Sequence, residues 1–392
     1  MPDIGDLKNQ IGEIIGGLGN VVRSALADDP YEILTYRGYA NAKRARVYGR
    51  VVEKLSVSAS TDTDSTLRNL LNTYRRADSD PLGHANVRAA FAGSIADFHA
   101  DDEGFFGGWI DIAEKTDDEW PKYETELIQA APDAPSVKAS GEVLVPPKSA
   151  RFCVVSDIDD TVIQSRVSNF LQAARTVMLG NARTRLPFPG VAAFYEALRK
   201  GKTGDERNPI FYVSSSPWNI HDVISEFMDL QKVPKGPLIL RDWDIGFSSL
   251  DSARHFDHKG VAIRNLLQLY PDLPFILIGD TSQHDPEIYR QIVDEFPTRV
   301  TAIYIRDVNR NAERKASVAK LAAEVLAAGS TLVLAEDTLG AAKHAAEQGW
   351  ISAESLPDVG EEKRADEGRD DTKVAAPEGG KPVSGAPPKV IG

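Results

Sequence analysis

Short, continuously apolar runs alternate with segments of helical periodicity from residue 151 to the 340s. Such runs predict strands buried on both faces, and their alternation with helices predicts a parallel sheet, so the fold class is α/β. We predict strands near 151–156, 210–214, 237–241, 275–279, 300–305 and 331–335. We predict helices near 168–179, 190–200, 219–230, 258–269, 286–295, 311–328 and 339–347.

The region before this alternation has a different pattern. Over residues 31–147, short runs with β-branched and aromatic residues are separated by turn signals, among them the hairpin-like connection at 101–104. This spacing is typical of a small antiparallel β-sandwich. Two prolines, Pro146 and Pro147, mark the boundary to an α/β domain over 148–350. Residues 56–80 are polar, and either a long loop or a short helical insert fits them.

The two ends of the chain differ from both regions. Over residues 1–30, apolar residues recur at alternating steps of three and four, which predicts an amphipathic helix. This helix could dock on the neighbouring domain or lie in a membrane interface, and the presence of only two bases, Lys8 and Arg23, favours docking. Residues 353–392 hold five prolines, many charges and almost no large apolar residue, which predicts a disordered tail.

Composition excludes several functional classes. A formal net charge of −13 argues against nucleic acid as a partner, because nucleic-acid binding needs a basic footprint. The single cysteine, Cys153, lies in an apolar run, which excludes a disulfide framework and indicates a buried side chain in a reducing compartment. No apolar run reaches 18 residues, and the first residues lack a basic segment, so we predict neither a transmembrane helix nor a signal peptide. We expect a cytoplasmic protein.

Three predicted strands end in side chains that can do chemistry. The first runs into Asp157-Ile158-Asp159-Asp160-Thr161, the second ends at Ser214, and a later one ends at Gly279-Asp280. The carboxyl ends of parallel strands meet at one edge of a sheet, where open α/β sheets bind ligands. We therefore expect these side chains to form one site.

Carboxylates in this arrangement suit phosphoryl transfer. Asp157 can attack phosphorus and form an acyl phosphate, and Asp159 can protonate the leaving oxygen and then deprotonate water. Oxygen ligands of this kind suit Mg²⁺, so we predict Asp157, Asp159, Asp280 and Asp285 as metal ligands. Thr161 would fix the loop through its hydroxyl.

Other residues would bind the phosphate. The hydroxyls of Ser214 and Ser215, with the amides around them, can form an anion nest. Lys259, at a predicted helix start, can neutralise both the phosphate and the nucleophile, and therefore counts as phosphate-binding and catalytic. His284 could orient Asp285 or contact substrate, although a solvent-facing histidine fits the sequence equally well.

The ordered motifs D-x-D-x-T, strand-end serine, lysine and G-D-x(4)-D resemble the haloacid-dehalogenase superfamily of aspartate-nucleophile phosphatases. Flanking residues are similar to the actin-patch-protein phosphatidate phosphatases, relatives of the lipins; they are 157–162, 185–191, 212–219 and 278–289. The resemblance implies a haloacid-dehalogenase-like Rossmannoid sheet and a phosphatidate phosphatase catalytic domain over 148–350. It also implies a hydrolase that converts phosphatidate to diacylglycerol and phosphate with Mg²⁺, through a phosphoaspartate, in peripheral contact with a membrane.

Two other functions stay open. The same chemistry could act on a soluble phosphoester. Neither 162–209 nor 215–258 is obviously a cap domain, however, and an open site favours large or interfacial substrates. Alternatively, the chain could be a scaffold or binding protein with secondary catalysis, although none of the catalytic acids is missing. A receiver-like phosphoacceptor fits poorly, because it would lack the acid/base role of Asp159 and the G-D-x(4)-D element.

Overall fold

The computed structural model describes residues 31–54, 80–128, 136–158, 189–241, 258–308 and 311–370. These ranges contain a seven-stranded sheet followed by a six-stranded sheet with helices. Within them, no helix is long and apolar enough to cross a membrane. Several predictions fall outside the described residues: the helix over 1–30, the segment 56–79, the helix over 168–179, the tail beyond 370, and the loop positions Asp159 and Thr161.

The region predicted to be β-rich is indeed built from strands. Its seven-stranded sheet has the order β4-β3-β6-β7-β1-β2-β5. The strands are β1 (Tyr31–Ala40), β2 (Arg44–Glu53), β3 (Asn86–Phe91), β4 (Ser94–His99), β5 (Phe105–Asp111), β6 (Lys122–Leu127) and β7 (Lys138–Leu144).

The prediction of an antiparallel sandwich needs a correction, because one hydrogen-bonded sheet connects all seven strands. The last strand, β7, inserts between β6 and β1; it is antiparallel to β6 but parallel to β1. The sheet curls so that its two edge strands approach each other, and a side chain at Gly108 of β5 would collide with the Phe98 ring of β4. A turn forms at 101–104, where the Asp101 carboxylate accepts the amides of Glu103 and Phe105 at 2.9 Å, but the predicted hairpin does not. It joins β4 to β5, which are not neighbours in the sheet.

The second sheet confirms the predicted α/β class. Its order is β10-β9-β8-β11-β12-β13, and each pairing is parallel. The chain order reverses between β8 and β11, and such a switch point is where open α/β sheets bind ligands. The strands are β8 (Cys153–Asp157), β9 (Ile210–Pro217), β10 (Leu238–Arg241), β11 (Phe275–Asp280), β12 (Val300–Arg306) and β13 (Thr331–Ala335).

Seven described helices accompany this sheet, six of them close to predicted positions. Two begin with side-chain caps: Asn311 accepts the Glu313 amide at 2.9 Å, and Asp337 accepts the Gly340 amide at 2.7 Å. The helices are α1 (Val191–Lys200), α2 (His221–Leu230), α3 (His258–Leu269), α4 (Asp285–Glu295), α5 (Ala312–Ala327), α6 (Thr338–Glu347) and α7 (Leu356–Asp370).

Helix α7 contradicts the prediction that residues 353–392 are disordered, because residues 353–370 form a short 3₁₀ turn and this helix. Two of the acidic side chains that suggested disorder accept hydrogen bonds from backbone amides at the start of α1. Asp366 accepts the Gly190 amide at 3.0 Å, and Glu362 accepts the Ala193 amide at 2.6 Å. The first amides of a helix lack partners within it, so carboxylates placed there stabilise the start of α1 and attach α7 to it. Val359 is fully buried beneath this contact.

The two sheets share one hydrophobic core. Tyr39 of β1 packs edge-on against Phe211 of β9 at 5.7 Å between ring centroids. The Tyr270 hydroxyl donates to the Ala40 carbonyl at 3.0 Å, and Arg37 pairs with a carboxylate of α2 at 2.8 Å. The β-rich region and the α/β region are therefore packed as one unit.

Candidate active site

Two buried carboxylates lie at the switch point of the parallel sheet. Asp157 ends β8 and Asp280 ends β11, and these strands are neighbours. Both side chains are buried, because each strand is covered on its two faces up to its last residue. Ser214 lies on the other side, one residue beyond Val213, which pairs with Asp157. The predicted meeting of strand ends is thus observed.

Lys259 joins the carboxylates from the first turn of α3. Its Nζ lies 2.8 Å from Asp157 Oδ1, 2.7 Å from Asp285 Oδ1 and 2.9 Å from Gln283 Oε1. Three acceptors match the three donors of an ammonium group. Burial would lower the pKa of Lys259, but the charges of Asp157 and Asp285 and their hydrogen bonds raise it above the usual lysine value. Lys259 therefore stays charged at neutral pH.

Asp285 is the first residue of α4, and its side chain points back into the site. Besides the Lys259 contact, its Oδ2 accepts the Asp280 amide at 3.2 Å. A Cβ at Gly279 would come within 2.8 Å of the Asp285 Cβ, so the glycine permits this close approach. Burial raises the pKa of Asp285, Lys259 opposes that shift, and the Asp280 carboxylate adds to it. Burial is the largest of these causes, so the Asp285 carboxylate depends on Lys259 to stay charged.

Three of the four predicted metal ligands converge. Asp157, Asp280 and Asp285 each offer a carboxylate oxygen, and these atoms lie within 4.8 Å of one another. An all-oxygen set of carboxylates is the donor chemistry that Mg²⁺ prefers, so the described residues fit the predicted ion. The fourth, Asp159, lies outside the described residues.

The predicted phosphate-binding serines lie beside this cluster. Ser214 is fully buried, and its Oγ accepts the Ser216 amide at 3.0 Å. Ser215 is half-buried on the same strand end. A short 3₁₀ turn from Trp218 to Ile220 separates this strand from α2, so the serines do not open the α-helix directly. Both serines directly follow Val213, the strand partner of Asp157.

His284 is exposed, and the hydrogen bonds received by the Asp285 carboxylate come from Lys259 and the Asp280 amide. Gln283, the third acceptor of Lys259, was not predicted, although it lies inside the G-D-x(4)-D motif. Cys153 is buried at the start of β8, and burial raises the pKa of its thiol, which confirms the interpretation of an inert side chain.

The sequence of this region matches a known family. Residues 152–307 match the family model described as phosphatidate phosphatase APP1, catalytic domain. The match spans the described site residues from Asp157 to Asp285. This segment is therefore similar to that catalytic domain. The resemblance drawn from the motifs is confirmed.

Curated relatives agree over the same part of the chain. Phosphatidate phosphatase APP1 of Saccharomyces cerevisiae is 30% identical over 154 residues, which is 39% of this chain and 25% of the yeast protein. An uncharacterized protein of Schizosaccharomyces pombe is 28% identical over 191 residues, 47% of this chain and 30% of that protein. The chain thus matches less than a third of the length of either relative.

Solved structures add little. A carbohydrate acetylesterase from Xanthomonas citri aligns with 76% of this chain and 74% of its own, at 13% identity and a TM-score of 0.26. A score this low supports no argument about fold or function.

Proposed function

We propose that this chain is a phosphatidate phosphatase that hydrolyses phosphatidate to diacylglycerol and phosphate. The observation that carries the proposal is the match of residues 152–307 to the APP1 catalytic domain, together with the buried cluster of Asp157, Lys259, Asp280 and Asp285. The parallel sheet with acids at its switch point supports a haloacid-dehalogenase-type catalytic domain. Because phosphatidate is a membrane lipid, the chain would work at a membrane surface.

Asp157 is the proposed nucleophile. Its carboxylate oxygen attacks phosphorus, the bond from phosphorus to the glycerol oxygen breaks, and Asp157 then carries the phosphoryl group. Asp159 gives the departing oxygen its proton and later accepts a proton from the water that hydrolyses the phosphoaspartate. Lys259 offsets the negative charge of nucleophile and phosphate, which otherwise repel each other. The role of Asp159 rests on the sequence motif.

Mg²⁺ is the proposed cofactor, held by Asp157, Asp280 and Asp285, with Asp159 as the further ligand from the motif. When bound, it would offset the negative charge that three carboxylates and a phosphate bring into one buried site. The hydroxyls of Ser214 and Ser215 would donate to the phosphoryl oxygens on the opposite side of Asp157.

The test is phosphate release by the purified chain from phosphatidate vesicles, compared with a panel of soluble phosphoesters, with Mg²⁺ or with EDTA. We expect Mg²⁺-dependent release from the vesicles and its loss in Asp157→Asn. The matched control is Asp97→Asn, which removes an exposed carboxylate on β4 and should leave the rate unchanged. If only the soluble phosphoesters are hydrolysed, the proposed lipid substrate is wrong and the chain is a phosphatase of soluble esters. No turnover of either class would leave a binding function and refute the enzyme.

A further inference from the structure

An arginine outside the motifs holds the connection from β11 to α4, which begins after Asp280 and ends at Asp285. Arg314, in the first turn of α5, donates from Nε to the Thr281 carbonyl at 3.2 Å and from Nη2 to the Gln283 carbonyl at 2.8 Å. Its guanidinium also pairs with both carboxylate oxygens of Glu287 in α4. One side chain therefore contacts the segment 281–287, which is the loop 281–284 and the first turn of α4, near its start, in its middle and at its end.

The same loop supplies contacts to the site from its inner side. The Ser282 amide donates to Asp280 Oδ1, and the Gln283 side chain accepts from Lys259 at 2.9 Å. Thr281 is also held by the end of β12, since its amide donates to the Arg306 carbonyl at 3.0 Å. Its hydroxyl accepts the amide of Val308, two residues after that strand, at 3.1 Å. A shift of the loop would therefore move the oxygens of Asp280 and Asp285 relative to each other.

We infer that Arg314 is a positioning residue that fixes the segment 281–287, so that Asp280 and Asp285 present their carboxylates at the geometry the metal needs. The inference rests on the proposed function for the role of these acids. The shape of the guanidinium is essential, because only a planar group with five donors can hold a carboxylate with two bonds and two carbonyls at once. A lysine at this position would keep the positive charge but would lack the planar set of N–H donors.

A simpler role must be separated from this one, namely that Arg314 only joins helices α4 and α5. Arg290 offers a matched control, because it also links α4 to α5, through Glu324 at 3.4 Å, and its ion-pair partners Glu324 and Asp294 both lie outside the segment 281–287. The two arginine side chains are equally shielded, 19% exposed for Arg314 and 20% for Arg290. Arg290→Lys therefore perturbs the same pair of helices but leaves the contacts of Asp280 and Asp285 in place.

The experiment compares wild type, Arg314→Lys and Arg290→Lys in the full chain. Mg²⁺ affinity is measured by calorimetry without substrate, and kcat and KM on phosphatidate vesicles are measured separately. We expect Arg314→Lys to weaken Mg²⁺ binding by about tenfold or more, as for residues that orient metal ligands. We expect its kcat to fall with KM for the lipid unchanged, and excess Mg²⁺ to restore part of the rate. Arg290→Lys should bind Mg²⁺ within about twofold of wild type.

Equal Mg²⁺ affinities for wild type and Arg314→Lys would overturn the inference, as would an equal loss in Arg290→Lys. If Arg314→Lys fails to fold, Glu287→Gln replaces it, because it keeps the arginine and its two carbonyl contacts; a smaller loss of Mg²⁺ affinity is then expected, and no loss overturns the inference. Wild type that binds no Mg²⁺ also overturns it. Wild type that binds Mg²⁺ but releases no phosphate from phosphatidate refutes the substrate, and the Arg314 comparison still decides the inference.

Discussion

Replacing Lys259 by methionine tests the electrostatics of the site without relying on turnover. Methionine fills similar space but removes the charge and all three donors. The Lys259 side chain is 5% exposed, and the carboxylates of Asp157 and Asp285 are fully buried at 2.8 and 2.7 Å from its Nζ. With these short distances and this burial, Lys259 and its two carboxylates form buried ion pairs. Removing one partner of a buried ion pair leaves an uncompensated charge and strongly destabilises the protein.

The expected magnitude follows from that class of interaction. Removing one partner of a buried pair costs about 3–5 kcal/mol, and here two carboxylates lose their counter-charge together. At about 1.2 °C per kcal/mol for a chain of 392 residues, the midpoint of thermal unfolding should fall by about 4–6 °C. The effect should be largest in EDTA, since a bound divalent cation would restore part of the missing positive charge.

The assay is urea and thermal unfolding followed by tryptophan fluorescence in EDTA. It compares wild type, Lys259→Met, Asp285→Asn and the double variant. Because the lysine and Asp285 are in direct contact, the double variant should lose at least about 1 kcal/mol less than the sum of the single changes. A loss below about 1 kcal/mol for Lys259→Met, with additive effects in the double variant, would refute a buried ion-paired lysine.

Two further predictions concern the scaffold. Asn208 is buried; its side chain accepts the Arg151 amide just before β8 and donates to the Leu198 carbonyl near the end of α1. Asn208→Ala should therefore lower the free energy of unfolding by about 2–3 kcal/mol in urea titrations, and a change below about 0.5 kcal/mol would contradict this. Burial lowers the pKa of His344, which lies 3.0 Å from the Tyr304 hydroxyl. The contribution of neutral His344 to the free energy of unfolding is fully present above the unfolded histidine pKa of about 6.5. It is lost as the pH falls through the lowered pKa of the folded state. His344→Gln should therefore reduce the fall in melting temperature on acidification; an unchanged fall would contradict this prediction.

The α/β region could be predicted from sequence because its signal is local. Strands such as β11 and β8 are buried at each residue, so each begins as a short apolar run. The acids that end these strands, Asp280 and Asp157, come directly after those runs in the sequence. The curled seven-stranded sheet could be predicted only as a set of strands. Its pairing of β7 with β1 joins residues about a hundred positions apart, and turn chemistry carries no information on such a contact.

The same distinction separates the site residues that were predicted from those that were not. Asp157, Ser214 and Asp280 end strands, and strand ends of a parallel sheet meet by geometry. Arg314 lies on another helix and reaches the loop through its long side chain, a contact that no spacing in the sequence encodes. Helix α7 was missed for a related reason: its acids suggested disorder by composition, while the amides of α1 that they bind are remote in the chain.

The family match begins at residue 152, yet the packing around the site begins with the β-rich sheet. Trp218 follows the serine strand end directly, and it stacks on Tyr36 at 5.6 Å and lies 5.9 Å from Tyr48, both from that sheet. His221 completes this contact at 4.0 Å from the Tyr36 ring. A chain without residues 31–147 would expose these aromatic faces beside Ser214 and release the strand end that offers its hydroxyls. The seven-stranded sheet is therefore part of the support of the site.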